Sequence, residues 1–336
     1  MFTGVDLTAT PKKITDLDVL GISLREDGTV GKSIFDCKSA GGPAFARALW
    51  LSGLMRYVGA REGIIIMGKP AEPAHRLAAR KLDVTIFGSG AFDSYAAATN
   101  PEYRVLQSYA GNLENWHRIN DAALKQPAVA EILLAIQQEV PLCTDPARAF
   151  RRFISRLLQH KGELNPAKPL HMAAFVECVV GFSYLFLLMV QDLRLVIDLA
   201  IGEKEFSTFL RYYLWGGPEG VANLRRMYEL LAAHEGTSEQ GISLVLWPQL
   251  IQLVRGLLEA PTQVHNCVIA LRELSLRQMA NIDSASDLRA GKLFLTPRAR
   301  QFAKRIGFYA AGVMKLPSEF AERMDQQIDG LVSAVR

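Results

Sequence analysis

Cysteine and histidine are scarce in this chain. Its 336 residues include four Cys and six His. The cysteines at 37, 143, 178 and 267 form no Cys-x-x-Cys pair, and no paired-histidine spacing accompanies them. This excludes zinc sites of the usual spacing and leaves the thiols as reduced, buried residues. An excess of one charge sign is also missing, with 38 Lys and Arg against 34 Asp and Glu, a net charge of +4 and a pI of 8.8. Such a balance permits a nucleic-acid partner without demanding one, because binding depends on where basic residues cluster. No positively charged segment followed by an apolar run opens the sequence, so no secretory signal is read and a cytoplasmic location is expected. What is present is ordinary globular composition, 49% hydrophobic and 21% charged, in a chain long enough for two domains with their own cores.

Two apolar runs lie close together near the N-terminus. Lys13-Ile-Thr-Asp-Leu-Asp-Val-Leu-Gly-Ile-Ser-Leu24 and Ser33-Ile-Phe-Asp-Cys-Lys-Ser39 are rich in β-formers. Asp27-Gly28 lies between them, a pair that tolerates positive φ, and together they predict a β-hairpin. Alternation along the second strand puts Asp36 and Lys38 on one face and Phe35 and Cys37 on the other, and the first strand can set Asp18 beside Asp36. Charged groups on an otherwise apolar strand are costly in a dry interior, so they call for a compensating cation or for solvent. Two carboxylates suit Mg²⁺, which takes oxygen ligands, keeps several waters and uses one or two protein carboxylates.

These segments, Asp16-Leu-Asp-Val-Leu-Gly21 followed by Asp36-Cys-Lys-Ser39, resemble the restriction-endonuclease-like PD-(D/E)xK nuclease superfamily. The order downstream is similar too: a helix over 43–58, a strand over 63–67, a helix over 73–82 and a strand over 83–87. The resemblance covers residues 1 to about 100, the size of one small domain. It implies an α+β chain, with a nuclease-like α/β/α sheet domain over 1–103 and an all-α bundle over 104–336. It also implies Asp18, Asp36 and the Cys37 carbonyl as ligands of Mg²⁺ or Mn²⁺, Lys38 as a third catalytic residue, and hydrolysis of DNA phosphodiester bonds, with RNA as an alternative substrate. The family places a helix and a strand before the Asp-bearing strand, and residues 1–12 are too few for both. A companion protein or a second copy of the chain completing the sheet is therefore one expectation, and a non-catalytic scaffold that binds a partner is another.

In the helix over 43–58, Ala46, Trp50, Leu54 and Val58 recur at helical spacing and are expected to face the sheet. Arg47 stands off that stripe, placed either to touch a phosphate or to face water. Beyond residue 103 strand signals give way to helical periodicity in segments broken by Pro, Gly and Asn. Arg148, Arg152 and Arg156 form one i, i+4, i+8 stripe, suited to phosphate contact or to plain solvation. The run 172–190 is apolar apart from Glu177 and Ser183. It has the length of a bilayer span, but as a single run with an internal carboxylate it is read as the central helix of a bundle.

Overall fold

The computed structural model describes residues 2–9, 12–24, 29–38, 43–99, 103, 107–160, 162–235 and 244–336. The predicted turn at Asp27-Gly28 and the loop 39–42 lie outside them. The chain forms two units: Met1–Gln107 with Gln137–Thr144, and Ser108–Ile136 with Asp145–Arg336. The division falls at 107/108 rather than 103, and a short segment from the helical half returns to the first unit.

The first unit is built on a five-stranded sheet in the order β1 (Phe2–Ala9), β2 (Lys12–Leu24), β3 (Val30–Lys38), β4 (Glu62–Met67) and β5 (Val84–Gly88). β1, β2 and β3 make an antiparallel meander, as short connections allow. β3, β4 and β5 run parallel, and so need crossovers, which α1 (Ala44–Val58) and α2 (Pro73–Arg80) supply. Residues 2–9 supply the strand expected before the Asp-bearing one; no helix precedes it among the described residues.

Adjacent strand residues point to opposite faces, and both faces are covered. Ile34, Ile65, Val84 and Ile86 pack with Ala48, Leu51 and Leu54 of α1 and Ala79 of α2. On the other face Phe35 and Phe87 meet Phe92 of α3 (Ser89–Thr99), with ring centroids 6.3 and 5.8 Å apart. α1 lies so close to β4 that a Cβ on Gly63 would stand 2.8 Å from Leu51 and Met55 side-chain atoms. The helix then stops at Gly59, whose φ of 69° is left-handed.

The face of α1 differs from the expected one. Ala44, Ala48, Leu51, Leu54, Met55 and Val58 are buried, whereas Ala46 is exposed and Trp50 keeps 39% of its surface. A strict i+4 series gains about 40° per step on a helix of 3.6 residues per turn, so 46, 50, 54 and 58 wind off any one face. The observed series alternates steps of three and four.

The second unit is helical: α4 (Leu113–Ala123), α5 (Pro127–Leu134), which runs into a π-turn over Ala135–Glu139, α6 (Pro146–Gln159), α7 (Pro169–Leu193), α8 (Glu203–Trp215), α9 (Gly217–Glu235), α10 (Trp247–Glu259), α11 (Pro261–Arg277), α12 (Ser284–Leu293), α13 (Pro297–Val313) and α14 (Glu319–Ser333). α7 is long and apolar enough to cross a membrane, and 94% of its most apolar window is buried inside the unit. It packs against α5, α6, α10, α11 and α13, so an apolar surface all round is what its place at the centre requires. Its Phe182 and Phe186 meet Phe150 of α6 and Tyr309 of α13. The helix runs a few residues beyond the apolar stretch and ends at Leu193.

Candidate metal and phosphodiester site

Asp18, Asp36 and Lys38 meet at the C-terminal end of β3. The β2–β3 ladder runs from Leu24/Val30 to Val19/Phe35, and Asp18 is the next residue of β2. Its carboxylate, rather than a backbone carbonyl, accepts the Cys37 N–H at 2.8 Å on Oδ2. The same oxygen accepts from Lys38 Nζ at 3.2 Å, and Lys38 Nζ also lies 3.2 Å from Asp36 Oδ1. The ammonium therefore bridges the two carboxylates.

The backbone of β3 adds a directed oxygen. The Lys38 carbonyl accepts from Gly68 N just beyond β4, at 3.0 Å. Successive residues of a strand turn their N–H and C=O to opposite neighbours, and both groups of one residue point the same way. The Cys37 carbonyl is thus aimed toward β2, the side on which its own N–H meets Asp18.

Arg47, from the first turn of α1, completes the cluster. Its Nε donates to Asp36 Oδ2 and its Nη2 to Asp36 Oδ1, both at 2.6 Å, and its guanidinium lies 4.1 Å from the Trp50 ring centroid. The expected phosphate ligand is thus in the site, but with its fork closed on a carboxylate. Trp50, half-exposed, lies under that guanidinium. No sequence signal fixed the partner of Arg47; the signal available was its place in the first turn after the Asp-x-Lys strand.

Two cations and two carboxylates make the cluster neutral, and the protonation states follow. Burial pulls the Asp36 carboxyl upward, but the bonds and charges of Arg47 and Lys38 outweigh it and hold it below its usual value. Burial pulls Lys38 down, and Asp36 and Asp18 more than reverse that, so the ammonium is held charged. Of the four thiols expected to be buried only Cys178 and Cys267 are; Cys37 is an exposed residue and Cys143 half-buried. The Cys37 thiol is still pushed up, by partial desolvation and by the two carboxylates, which makes it a poor nucleophile.

Among the described residues no group of three or more His, Cys, Asp and Glu side chains is placed to hold a metal. The oxygen donors here are two carboxylates and the Cys37 carbonyl, a set that fits a hard cation retaining several waters. A carboxylate offers about four lone-pair positions, and the bonds to Asp18 among the described residues fall on Oδ2, which leaves its Oδ1 for an ion. Asp36 is the more occupied ligand, since Arg47 and Lys38 together take three positions on it.

The other basic candidates belong to the second unit. Arg148, Arg152 and Arg156 line the side of α6 opposite its buried Phe150, Phe153 and Leu157; Arg148 and Arg152 are exposed and Arg156 is half-buried. Asp145 caps the helix by accepting from Arg148 N at 2.9 Å. A buried pair, Arg272 and Glu177, also went unnoticed in the sequence: Nη1 to Oε2 is 2.6 Å.

Compared with protein-family models, curated proteins and solved structures, the chain matches none of them.

Proposed function

We propose that the first unit is a nuclease of the restriction-endonuclease-like PD-(D/E)xK kind that uses Mg²⁺ or Mn²⁺ to hydrolyse DNA phosphodiester bonds. The observation that carries this reading is the meeting of Asp18, Asp36 and Lys38 where the β2–β3 ladder ends, with the Cys37 backbone turned to the same side. The antiparallel meander leading into parallel strands through α1 and α2 supports it, because that is the element order the resemblance implies. Asp18, Asp36 and the Cys37 carbonyl would hold the ion. A bound Mg²⁺ supplies a Lewis acid for the phosphoryl oxygens and a water of lowered pKa. Lys38 would act as a cation and hydrogen-bond donor that offsets charge on the phosphate or orients the attacking water. A phosphate arriving beside Arg47 offers its fork a second anion, which would loosen its hold on Asp36.

The two-pronged grip of Arg47 on Asp36 favours a second reading, a binding scaffold in which the four charges serve only to tie α1 to β3. Nicking of supercoiled plasmid DNA with Mg²⁺ or Mn²⁺ separates the two. Cleavage that stops with EDTA, disappears in Asp36→Asn and falls in Lys38→Ala is expected. No cleavage by the full chain with either ion, or cleavage undiminished in both variants, overturns the nuclease reading.

A further inference from the structure

α1 turns one side to solvent. Ala46, Leu49, Trp50, Gly53, Arg56 and Tyr57 are exposed, and their spacing of three and four residues makes them one outward stripe. Trp50 and Tyr57 are two turns apart, so they stand in line along the helix, about 10 Å from each other. They keep 39% and 60% of their surface in water. A single exposed aromatic needs no explanation, but two in line on one face, beside an exposed Leu49, make a patch.

Gly53 lies between the two rings and is an independent pointer. Glycine in mid-helix is unfavourable relative to alanine, and among the described residues a Cβ at Gly53 would meet nothing within 4 Å beyond its own stretch of helix. No packing within the unit therefore calls for the glycine. A bare backbone between two exposed rings lets a flat group approach the helix closely. Charge narrows the class of that group. Arg47 and Arg56 are the only charged residues of α1, and α2, packed beside it, adds Arg76 and Arg80; neither helix contains an acid. Aromatic rings and cations together fit a single nucleic-acid strand, whose bases stack on the rings while its phosphates follow the positive charge. In a duplex the base faces are already covered by neighbouring pairs. The stripe also starts at the candidate site, because Arg47 bonds Asp36 and lies 4.1 Å from the Trp50 ring centroid.

We propose that the outward stripe of α1 is a stacking track for single-stranded DNA, with Trp50 and Tyr57 as platforms, Gly53 as the gap between them and Arg56 on the phosphates. It rests on the nuclease reading for the choice of DNA and for the path of the strand toward Asp36. A fluorescein-labelled oligothymidylate of about 20 nucleotides, longer than a typical single-strand site, and a duplex of the same length are titrated with the full chain in EDTA, so that fluorescence anisotropy reads binding without cleavage. Tighter binding of the single strand is expected, weakened about 5- to 100-fold in Trp50→Ala and in Tyr57→Ala and kept in Tyr57→Phe. Gly53→Gln should bind more weakly and yet melt at a higher temperature than the parent, a pair of shifts that a merely structural glycine would not give. Tyr228→Ala, at an exposed tyrosine on α9, should leave the affinity unchanged. Equal or tighter binding of the duplex, undiminished binding by the Trp50 and Tyr57 variants, or an equal loss in Tyr228→Ala overturns the inference. Selective binding in EDTA without cleavage in Mg²⁺ keeps it and removes the nuclease reading, whereas plasmid nicking without selective binding does the reverse.

Discussion

Arg47 holds Asp36 with both arms of its fork, 2.6 Å on each, and buries the carboxylate until 3% of the residue is exposed. The pair fixes the start of α1 against the end of β3. Asp36→Asn leaves the guanidinium and the Lys38 ammonium without their shared anion. Because Arg47 keeps about a third of its side chain in water, the cost is below that of a fully buried pair, about 1–3 kcal/mol. Urea melts at neutral pH should show it; a variant as stable as the parent would mean the pair contributes nothing.

The pH dependence of that contribution has a definite sign. Asp36 has a lower pKa folded than unfolded, so its stabilisation is complete above the unfolded carboxylate value, about 4. It is lost as pH falls through the folded value. The stability gap between the parent and Asp36→Asn should therefore stay constant from pH 8 to about pH 5 and close below about pH 4. A gap that closes near pH 6 would contradict the lowered pKa.

Lys32 should behave in the opposite sense. Its ammonium is buried among the Val58 and Cys143 carbonyls, at 3.4 and 3.3 Å, and desolvation lowers its pKa, with Cys143 opposing only in part. Between the lowered folded value and the ordinary one the unfolded chain binds more protons, so stability rises with pH across that interval. Lys32→Met removes the titrating group. Relative to this variant, the parent should gain stability on going from neutral to alkaline pH, as followed by guanidinium melts; a constant difference would refute it.

Periodicity made most of the helices and the β2–β3 hairpin legible, because period 2 and period 3.6 are local properties. The burial of Lys32 was not: one of its acceptors, Cys143, is 111 residues away, in the segment that returns to the first unit. α3 likewise takes its place partly from a residue distant in sequence, since its Phe92 meets Phe35 of β3 as well as Phe87 of β5. α4 carried a usable signal in Asn112, whose side chain caps it through Glu114 N. At the site, the Asp-x-Lys spacing placed Asp36 and Lys38 on one face, but the hold of Arg47 depended on the rotation of α1, which the i+4 series of small and apolar residues misplaced.

The Glu177–Arg272 pair tests what holds the second unit around α7. Both side chains are nearly dry, at 2% and 11% exposure, and Arg272 also stands 4.8 Å over Trp116. Burial pulls the pKa of Arg272 down and Glu177 opposes it. Glu177→Ala strands a buried cation and should cost about 3–5 kcal/mol, whereas the double variant Glu177→Met, Arg272→Met should recover most of that loss. Additive losses in urea melts would show that the two charges do not act as a pair.

Divalent-ion affinity distinguishes a metal site at Asp18 and Asp36 from a plain ionic tie between α1 and β3. An ion held by Asp18 and Asp36 must share Asp36 with Arg47, whose two bonds occupy both carboxylate oxygens. Displacing charge-assisted bonds costs about 1.5–3 kcal/mol. Arg47→Ala, which removes that competitor, should bind Mn²⁺ about 10- to 100-fold more tightly than the parent, measured by paramagnetic resonance of the free ion. Arg47→Met keeps more of the stacking on Trp50 and should show the same gain with a smaller loss of stability. Equal affinities would mean that the ion and Arg47 do not compete for Asp36. If neither the parent nor either variant binds Mn²⁺ while all three remain folded, the carboxylates are not a metal site, and the four charges join α1 to β3 and nothing more.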